Sequence, residues 1–365
     1  MKQPKDFGFS EEAKLLKQSA RSFFQKKLPT EKLHKLIANE SDPFRAPVAK
    51  WDKNLWQEMV ALGWSSLAVP ESAGGIGMPA VAVAGLVEEA GRAAVPSPLL
   101  STLQSCYVLS ACAPECAQPG FDLIAQGKSI SLAITSSVVA EKKKQGFILN
   151  GTASFVQDAA KADYFIVNAG GLYLVDAKVD GVKIIPDHIV DLTRDQAHLT
   201  LKNVIAKQLA ENADVVLQEA EPALLTLLSA DMVGAAEWQL QTTVEYAKTR
   251  VQFDHPIGFF QGVKYPLVDL MLLVDQARAL VYNAACAIDH DKNNSEKFAR
   301  MAKASACDMA AFAAKKSVQL HGGIGFTWEC FVHLYSKRQK HSQVLLGDAA
   351  YHRSKLADLV LGRIE

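Results

Sequence analysis

The spacing of apolar residues changes twice along this 365-residue chain, and this order constrains the fold more than any single motif. The first third shows the spacing of helices, the middle third consists of short β-branched runs, and helical spacing returns from about Pro222. We therefore predict an α+β chain of three domains. These are a helical domain at 1–120, an antiparallel β-barrel or sandwich at 121–210, and a helical bundle at 211–365.

Capping signals and apolar stripes predict three helices in the first third. Ser10 precedes two glutamates and an amphipathic run, so we predict that it caps a helix that Pro29 ends. A further helix is predicted over 80–94, ahead of a proline. Between them, a second stripe at helical spacing consists of Leu55, Met59 and Leu62.

Five runs rich in β-branched and aromatic residues follow from Ser129. Clusters of Gly, Asn, Asp and Lys separate them, as in an antiparallel barrel or sandwich. Gly151 and Gly181 lie where hairpin turns would need positive φ. The predicted strands are 130–134, 146–149, 164–168, 172–175 and 182–185.

Charge, cysteine spacing and hydropathy narrow the classes of function. Lys plus Arg and Asp plus Glu both number 39, so no net field favours nucleic acid or an anionic membrane. The six cysteines form no C-x-x-C pair and no zinc-like Cys/His spacing, which predicts buried thiols and no metal site. Residues 1–9 carry charges without an apolar run, and the most apolar window, 223–236, is too short for a bilayer. We predict a cytoplasmic protein without a membrane span.

A glycine-rich stretch near the C terminus precedes a single acid. Residues 319–329 read QLHGGIGFTWE, which lacks both the G-x-G-x-x-G pattern and the βαβ context of a Rossmann loop. The glycines allow close approach of a flat ligand or a pyrophosphate. Beside Phe326 and Trp328, Glu329 suits a base whose pKa a dry pocket would raise. The alternative is an ordinary surface acid.

A second dense stretch lies at 246–261 and reads YAKTRVQFDHPIGFFQ. Tyr246 and Arg250 are predicted to share a helix face, Pro256 to end that helix, and Gln261 to begin the next. An arginine followed by aromatic rings and an amide can clamp a pyrophosphate and an adenine or flavin edge. The alternative is a helix end with a hydrophobic staple.

Together the two stretches resemble the acyl-CoA dehydrogenase family. Its members commonly carry Y-x-x-x-R-x-Q-F-G-x-P-I-x-x-F-Q and later Q-x-x-G-G-x-G followed by an acid, and most of these positions match here. Further matches are P-E-x-x-G-G-x-G at 70–77 and L-N-G at 149–151, so the resemblance covers nearly the whole chain. It implies an N-terminal helical domain, a middle β domain and a C-terminal four-helix bundle.

The resemblance also implies a function and a set of site residues. It implies FAD-dependent α,β-dehydrogenation of an acyl-CoA to trans-2-enoyl-CoA, with Glu329 as base and an electron-transfer flavoprotein as acceptor. The stretch with Arg250 would reach FAD across a subunit interface, 319–323 would touch its adenosine–pyrophosphate part, and 155–157 would lie beside the flavin ring. The residues implied to bind FAD are Arg250, Phe253, Phe260, Gln261, Gln319, Gly322, Gly323, Thr135, Phe155 and Gln157.

Several positions depart from the family pattern. The usual T-E-P-x-A-G-S-D is reduced to TSSV at 135–138, Asp254 replaces a glycine, and the usual E-G-T near the end reads Leu346-Gly347-Asp348. Such departures resemble bacterial branches that act on unusual acyl groups, including steroid side chains, and in which two different subunits share one set of sites. A homodimer, a homotetramer and a hetero-oligomer with a related subunit are all open.

Other assignments also remain open. An acyl-CoA oxidase or a nitroalkane-oxidase-like flavoprotein would pass electrons to oxygen, and a scaffold subunit would complete a partner's FAD site. A minority of the family carries its base on the helix before the arginine stretch, near Leu224 here, where Glu221 is the nearby acid.

Overall fold

The computed structural model describes residues 4–38, 50–143 and 146–362, and its elements follow the predicted order of helices, strands and helices. Ser10 caps the first helix, since its side chain accepts a hydrogen bond from the Ala13 N–H at 3.2 Å. The N-terminal helices are α1 Glu11–Lys27, α2 Thr30–Ala38, α3 Lys53–Ala61, α4 Ala80–Arg92, α5 Leu99–Ser110 and α6 Pro114–Ala125.

The predicted helices of this part are confirmed, with two differences. Leu62 was predicted in the apolar stripe of α3, but it follows the last turn and is 51% exposed, so only Leu55 and Met59 are buried. Helices α2, α5 and α6 go beyond the three predicted helices. The predicted domain boundary at residue 120 falls inside α6.

The middle of the chain forms an eight-stranded sheet in the order β1-β5-β6-β8-β4-β2, with β3 paired to β4 and β7 paired to β8. The prediction of an antiparallel sheet is wrong for one pair of strands, since β1 and β5 are parallel. The long crossover between them, which contains β2, β3 and β4, allows this pairing. The strands are β1 Ile130–Ala133, β2 Thr135–Ser136, β3 Val139–Lys143, β4 Gly146–Gln157, β5 Tyr164–Ala169, β6 Gly171–Asp176, β7 Val182–Pro186 and β8 Gln196–Ala210.

The two glycines predicted in hairpin turns have different positions. Gly181, with φ +92°, lies in the turn before β7, as predicted. Gly151, with φ +133°, lies instead inside β4, where the pairing with β8 shifts register. A side chain there would meet the backbone of Ser137, so glycine is needed for close approach within the sheet.

The C-terminal part is a helical bundle. Its first helix begins at Ala213 rather than near Pro222, because the Asn212 side chain accepts N–H groups of the first turn and Pro222 is accommodated inside the helix. The long helices α7, α8 and α9 pack on one another, α10 packs on α7 and α9, and α11 packs on α9. The helices are α7 Ala213–Thr249, α8 Gln261–His290, α9 Lys292–His321, α10 Val332–Val344 and α11 Ala349–Leu361.

The hydrophobic core of the described residues consists of three buried clusters. One packs the N-terminal helices against α7, α8 and α9; a second joins α5, α6 and the start of α7 to the sheet; a third lies between strands. Four of the six cysteines are buried and two are half-buried, all as free thiols. In the described part of the chain, no helix combines the length and apolar character needed to cross a bilayer. The cytoplasmic location stays a prediction.

Candidate functional site

A cavity of about 530 Å³ lies where the sheet meets α5, α7 and the segment that follows α10. Most of its wall is aliphatic, and a few polar side chains enter it from β1, β2, β4 and α10. The aliphatic residues are Leu100, Leu132, Ile134, Ile189, Leu224, Leu228, Val344, Leu345 and Leu346. Such a wall suits an apolar ligand that presents a few polar atoms.

A β-bulge in β4 shapes one side of this cavity. Between Ala153 and Val156, three steps along β4 oppose two along β8, so one residue is extra. Phe155 adopts φ +60° within the bulge and is 56% exposed at the cavity. Thr135, on the neighbouring strand, also lines the cavity.

Gln157 is held in one orientation by three hydrogen bonds. Its Nε2 donates to the carbonyl of Phe155 at 3.1 Å and to Oε1 of Gln196 at 2.7 Å. Its Oε1 lies 3.0 Å from Nε2 of His341, which therefore carries the proton. Burial lowers the pKa of His341, so its ring is neutral at neutral pH. The structure thus brings Thr135, Phe155 and Gln157 together at one cavity.

Of the described residues that line the cavity, only Asp158 carries a carboxylate. Its Oδ1 lies 2.8 Å from Nζ of Lys161, and its Oδ2 accepts from the hydroxyl of Ser101 at 3.3 Å. Lys161 also lies 3.2 Å from Asp195. Burial alone would lower the pKa of Lys161, but the two aspartates outweigh burial and raise it. Asp158 is therefore committed to a buried ion pair.

A second buried charge cluster joins the sheet region to the helices behind the cavity. Asp231 on α7 binds Arg194, at 2.6 Å, and Arg338 of α10. Burial alone would raise the pKa of Asp231, but the two guanidinium groups outweigh burial and lower it. The ion pair therefore fixes Arg194 at the cavity wall.

The arginine stretch lies at the C-terminal end of α7. The helix ends at Thr249, and residues 251–256 form a two-stranded hairpin, β9 Val251–Gln252 and β10 His255–Pro256. The predictions that Pro256 ends the helix and that Arg250 shares a helix face with Tyr246 are therefore wrong, since Arg250 has an extended backbone. As predicted, Gln261 begins the next helix, α8.

Side chains at this end of the bundle are open to solvent. Phe253 is 86% exposed, Phe260 packs edge-on against it, and Arg250 and Gln261 are exposed. Within the described residues, the Arg250 side chain makes no ion pair or hydrogen bond. These groups are therefore available to bind a ligand that this chain does not contain.

The glycine-rich stretch lies at the same end of the bundle. The ring of Tyr246 on α7 stacks on His321 at the end of α9, with ring centroids 4.4 Å apart. Gln319, Gly322 and Gly323 are exposed, and a side chain added at either glycine would meet open space. The structure thus brings the arginine stretch and the glycine-rich stretch together.

These two stretches lie far from the cavity within one chain. Leu228 of α7 lines the cavity, whereas the arginine stretch follows Thr249 at the end of the same helix. At 1.5 Å per residue, the helix between them measures about 32 Å. The predicted FAD contacts therefore form two separate groups in each chain.

The comparisons with known proteins identify the fold and the family. The family model for the N-terminal domain of acyl-CoA dehydrogenases matches residues 10–115, and the model for their C-terminal domain matches residues 226–361. Acyl-CoA dehydrogenase IpdE2 of Mycobacterium tuberculosis is 34% identical over 328 residues, which cover 88% of this chain and 93% of that protein. The chain belongs to the acyl-CoA dehydrogenase family.

Two solved assemblies of this family resemble the chain in structure. A chain of the ChsE4–ChsE5 complex from M. tuberculosis superposes with a TM-score of 0.88 at 25% identity, covering 99% of this chain and 100% of that chain. A variant of the Tcur3481–Tcur3483 steroid ACAD gives a TM-score of 0.85 at 27% identity, covering 96% and 98%. Family membership confirms the predicted fold, the enzyme class, an oxidoreductase acting on acyl-CoA, and FAD as cofactor.

Within this acyl-CoA dehydrogenase, Glu329 lies outside the cavity. It is exposed on the turn after the short helix Gly322–Phe326, and it is absent from the residues that line the cavity. Glu221, the alternative candidate for the base, forms an ion pair with Arg300 at 2.6 Å. Leu346 and Gly347, in the segment that corresponds to the family's E-G-T, do line the cavity. Glu329 as the base stays a prediction.

The sequence did not indicate several polar residues of the cavity. Asp158, Arg194, Gln196 and His341 come from three separate segments, since Arg194 and Gln196 lie two residues apart. The pairing of β4 with β8 and the packing of α10 bring them together. Ser154 and Asp158 directly flank the predicted flavin segment 155–157, so extending that segment by one residue at each end finds both.

Proposed function

We propose that the chain is a subunit of an enzyme that dehydrogenates an acyl-CoA across Cα–Cβ to a trans-2-enoyl-CoA. One observation carries this proposal: Thr135, Phe155 and Gln157, the positions implied at the flavin ring, converge on a single cavity with an aliphatic wall. The aliphatic wall would hold the acyl chain away from water. Where water is excluded, hydrogen bonds donated to the thioester carbonyl stabilise the charge that develops there more strongly than they would in water.

The residues of the chain fit FAD as two separate groups. Arg250 is an exposed guanidinium with no partner among the described residues, which suits it to a pyrophosphate, and the open space at Gly322 and Gly323 admits close approach. Thr135, Phe155 and Gln157 would hold the flavin ring at the cavity. When bound, FAD supplies the acceptor for the β-hydrogen. Because about 32 Å of α7 separates Leu228 at the cavity from the arginine stretch, we propose that each FAD is shared between two chains.

Proton abstraction from Cα needs a base within hydrogen-bond reach. Asp158 is paired with Lys161, and Glu329 lies outside the cavity of its own chain. We therefore propose that the base reaches the substrate from a second chain, as Glu329 of another copy or as an acid of a related subunit. His341 and Gln196 fix the side chain of Gln157, so it would keep its position while the base removes the proton from Cα.

Anaerobic flavin reduction by an acyl-CoA, followed by loss of visible absorbance, tests the role of Glu329. If Glu329 of a second copy is the base, Glu329→Gln lowers this rate by about 10²–10⁴-fold while FAD and substrate still bind. Glu115→Gln on α6, also an exposed acid, is the matched control and should leave the rate unchanged. An unchanged rate in Glu329→Gln would exclude Glu329 as the base.

A second candidate function is a subunit that completes the FAD site of a different chain. Leu346 favours it, because an aliphatic side chain lines the cavity at the acidic position of the family's E-G-T. Both solved relatives are named as pairs of two different proteins. Co-expression with a related chain tests it: one FAD per pair, and flavin reduction that depends on an acid of the partner, would support this function. Full activity of the chain alone would contradict it.

The acyl group and the electron acceptor are proposed from the relatives. Because one solved relative is a steroid ACAD, we propose a steroid-derived acyl-CoA, with butyryl-CoA as the comparison substrate. We propose an electron-transfer flavoprotein as acceptor. Turnover that needs this protein and yields no hydrogen peroxide would support a dehydrogenase, whereas peroxide formation in air without it would identify an oxidase.

A further inference from the structure

Ser154, His198 and Asp187 form a hydrogen-bonded row beside the cavity. The hydroxyl oxygen of Ser154 on β4 lies 3.1 Å from Nδ1 of His198 on β8. Nε2 of the same ring lies 3.2 Å from Oδ1 of Asp187, which follows β7. Two adjacent strands and the segment after a third thus supply a hydroxyl, an imidazole and a carboxylate in the order that activates a serine nucleophile.

The surrounding hydrogen bonds set the direction of this row. Oδ2 of Asp187 accepts from Nε2 of Gln196 at 2.9 Å, so the carboxylate is fixed with Oδ1 turned to His198. In the neutral ring, Nε2 then donates to Asp187 and Nδ1 is the acceptor. The proton of Ser154 is therefore directed at Nδ1 of His198, as a general base requires.

The position of Ser154 gives it access to a ligand. Ser154 lines the 530 Å³ cavity and immediately precedes Phe155, whose φ of +60° belongs to the bulge. Strained backbone of this kind concentrates at functional sites. The His198 and Asp187 side chains are 38% and 20% exposed, so water reaches the same row.

Other serines of the sheet region do not share this arrangement. Ser131 donates to the carbonyl of Gln157, and Ser137 donates to the carbonyl of Thr152 at 3.1 Å. Both therefore satisfy backbone groups, as sheet serines commonly do. Ser154 is bonded instead to an imidazole that a carboxylate anchors, which a structural role does not require.

We propose that Ser154 is a nucleophile for thioesters, so that the chain also hydrolyses acyl-CoA to a free acid and CoA. This inference rests on the proposed function in taking the cavity as the acyl-thioester site. Ser154 Oγ bonds to the carbonyl carbon while its proton passes to Nδ1 of His198. The C–S bond breaks, and the CoA thiolate leaves with that proton. Water then attacks the carbonyl carbon of the acyl-serine ester and gives a proton to His198. The ester C–O bond breaks, His198 returns that proton to Ser154 Oγ, and the free acid leaves. No oxidant or reductant takes part.

Two measurements on the FAD-loaded protein test this activity without an electron acceptor. A fluorophosphonate probe should label Ser154, as located by peptide mass spectrometry. Release of CoA thiol from butyryl-CoA, and cleavage of p-nitrophenyl butyrate, should fall by about 10²-fold or more in Ser154→Ala. Ser137→Ala, a sheet serine bonded to a backbone carbonyl, should retain the wild-type rate.

In this proposal Asp187 positions the ring of His198, and two variants of Asp187 distinguish that role from a role in folding. Asp187→Asn should lower kcat for the ester by about 10²-fold with little change in KM, and Asp187→Glu should restore part of it. Failure of the wild-type protein to label at Ser154, or equal CoA release in Ser154→Ala, would overturn the proposal. Ester cleavage at Ser154 without flavin reduction by any acyl-CoA would support it and overturn the proposed function instead.

Discussion

Lys303 is a fully buried lysine on α9 that holds the cavity wall from behind. Its Nζ donates to the carbonyls of Ser342 at 3.3 Å, Gln343 at 3.2 Å and Gly347 at 2.9 Å. These carbonyls belong to the end of α10 and to the cavity segment that follows it. Burial lowers the pKa of Lys303, with the nearby Cys307 opposing that effect. The ammonium group satisfies carbonyls that the helix end leaves unpaired.

Lys303→Met tests this role, because methionine fills similar space but donates no hydrogen bond. Leaving buried carbonyls unpaired should lower the free energy of unfolding by about 2 kcal/mol. Urea unfolding, followed by circular dichroism, measures it. Lys315→Met, at an exposed position of the same helix, is the control and should stay within about 0.5 kcal/mol of wild type. Equal stability of the two variants would show that water satisfies these carbonyls.

At the scale of elements, the path of β4 depends on Gly151. Its φ of +133° is accessible to glycine, and an added Cβ would lie 2.7 Å from the carbonyl oxygen of Ser137. Gly151→Ala should therefore destabilise the fold by more than about 1 kcal/mol. Gly262→Ala, in open space at the start of α8, should be neutral or stabilising by about 0.4–1 kcal/mol. Thermal unfolding of both variants gives the comparison, and a neutral Gly151→Ala would contradict it.

Elements with local signals were predictable from the sequence, and elements without them were not. The Ser10 cap and the turn at Gly181 have local causes, so both were predicted. Strand β8 was not predicted, because Asn203 with φ +54° interrupts it, and β7 pairs only with its first half and β6 only with its end. The early start of α7 was also missed, because Pro222 lies inside that helix at a position that usually marks a boundary.

The same distinction applies to the site. The arginine stretch matched a family motif, and the segments predicted at the flavin ring were assigned by their position in the family pattern; the structure locates each as a group. The row from His341 through Gln157 and Gln196 to Asp187 joins α10, β4, β8 and the segment after β7, so no spacing in the sequence could reveal it. The missed residues are therefore those whose proximity depends on strand register and helix packing.

At the scale of the whole molecule, buried histidines should make stability fall at acid pH. Burial, with Lys303 and Arg300 nearby, lowers the pKa of His352 to about 4, and burial likewise lowers that of His333 to about 4. Both folded-state values lie below the unfolded value of about 6.5. Their contribution is therefore complete above about pH 6.5 and is lost as pH falls towards 4, by about 3 kcal/mol for His352.

Urea unfolding between neutral pH and about pH 5 measures this loss. His352→Gln keeps a donor for the carbonyl of Leu346, which Nε2 of His352 meets at 3.0 Å, but cannot titrate. This variant should therefore lose less stability on acidification than wild type. His290→Gln, at an exposed position, should follow the wild-type curve. Parallel curves for wild type and His352→Gln would contradict the assignment.

The two groups of residues predicted to contact FAD lie at opposite ends of a long stretch of α7, and this separation leads to a prediction about assembly. If each cofactor bridges two chains, FAD binds the assembled state more tightly than the monomer and shifts the equilibrium towards dimer or tetramer by mass action. Arg250 is exposed and unpaired in the described part of the chain. Arg250→Ala should therefore weaken FAD binding and assembly together, and Arg250→Lys should restore little, because lysine cannot bind phosphate through two parallel donors.

Analytical ultracentrifugation with and without FAD, followed at the flavin absorbance, measures both effects. Lys248→Ala is the matched control, since Lys248 is an exposed cation two residues away that pairs with Glu245. It should leave the FAD-dependent shift intact. A monomer that carries FAD would contradict the shared site. A chain that stays colourless alone, but gains one FAD per pair with a related chain, would show that the second group comes from a different subunit, as Leu346 at the cavity suggests.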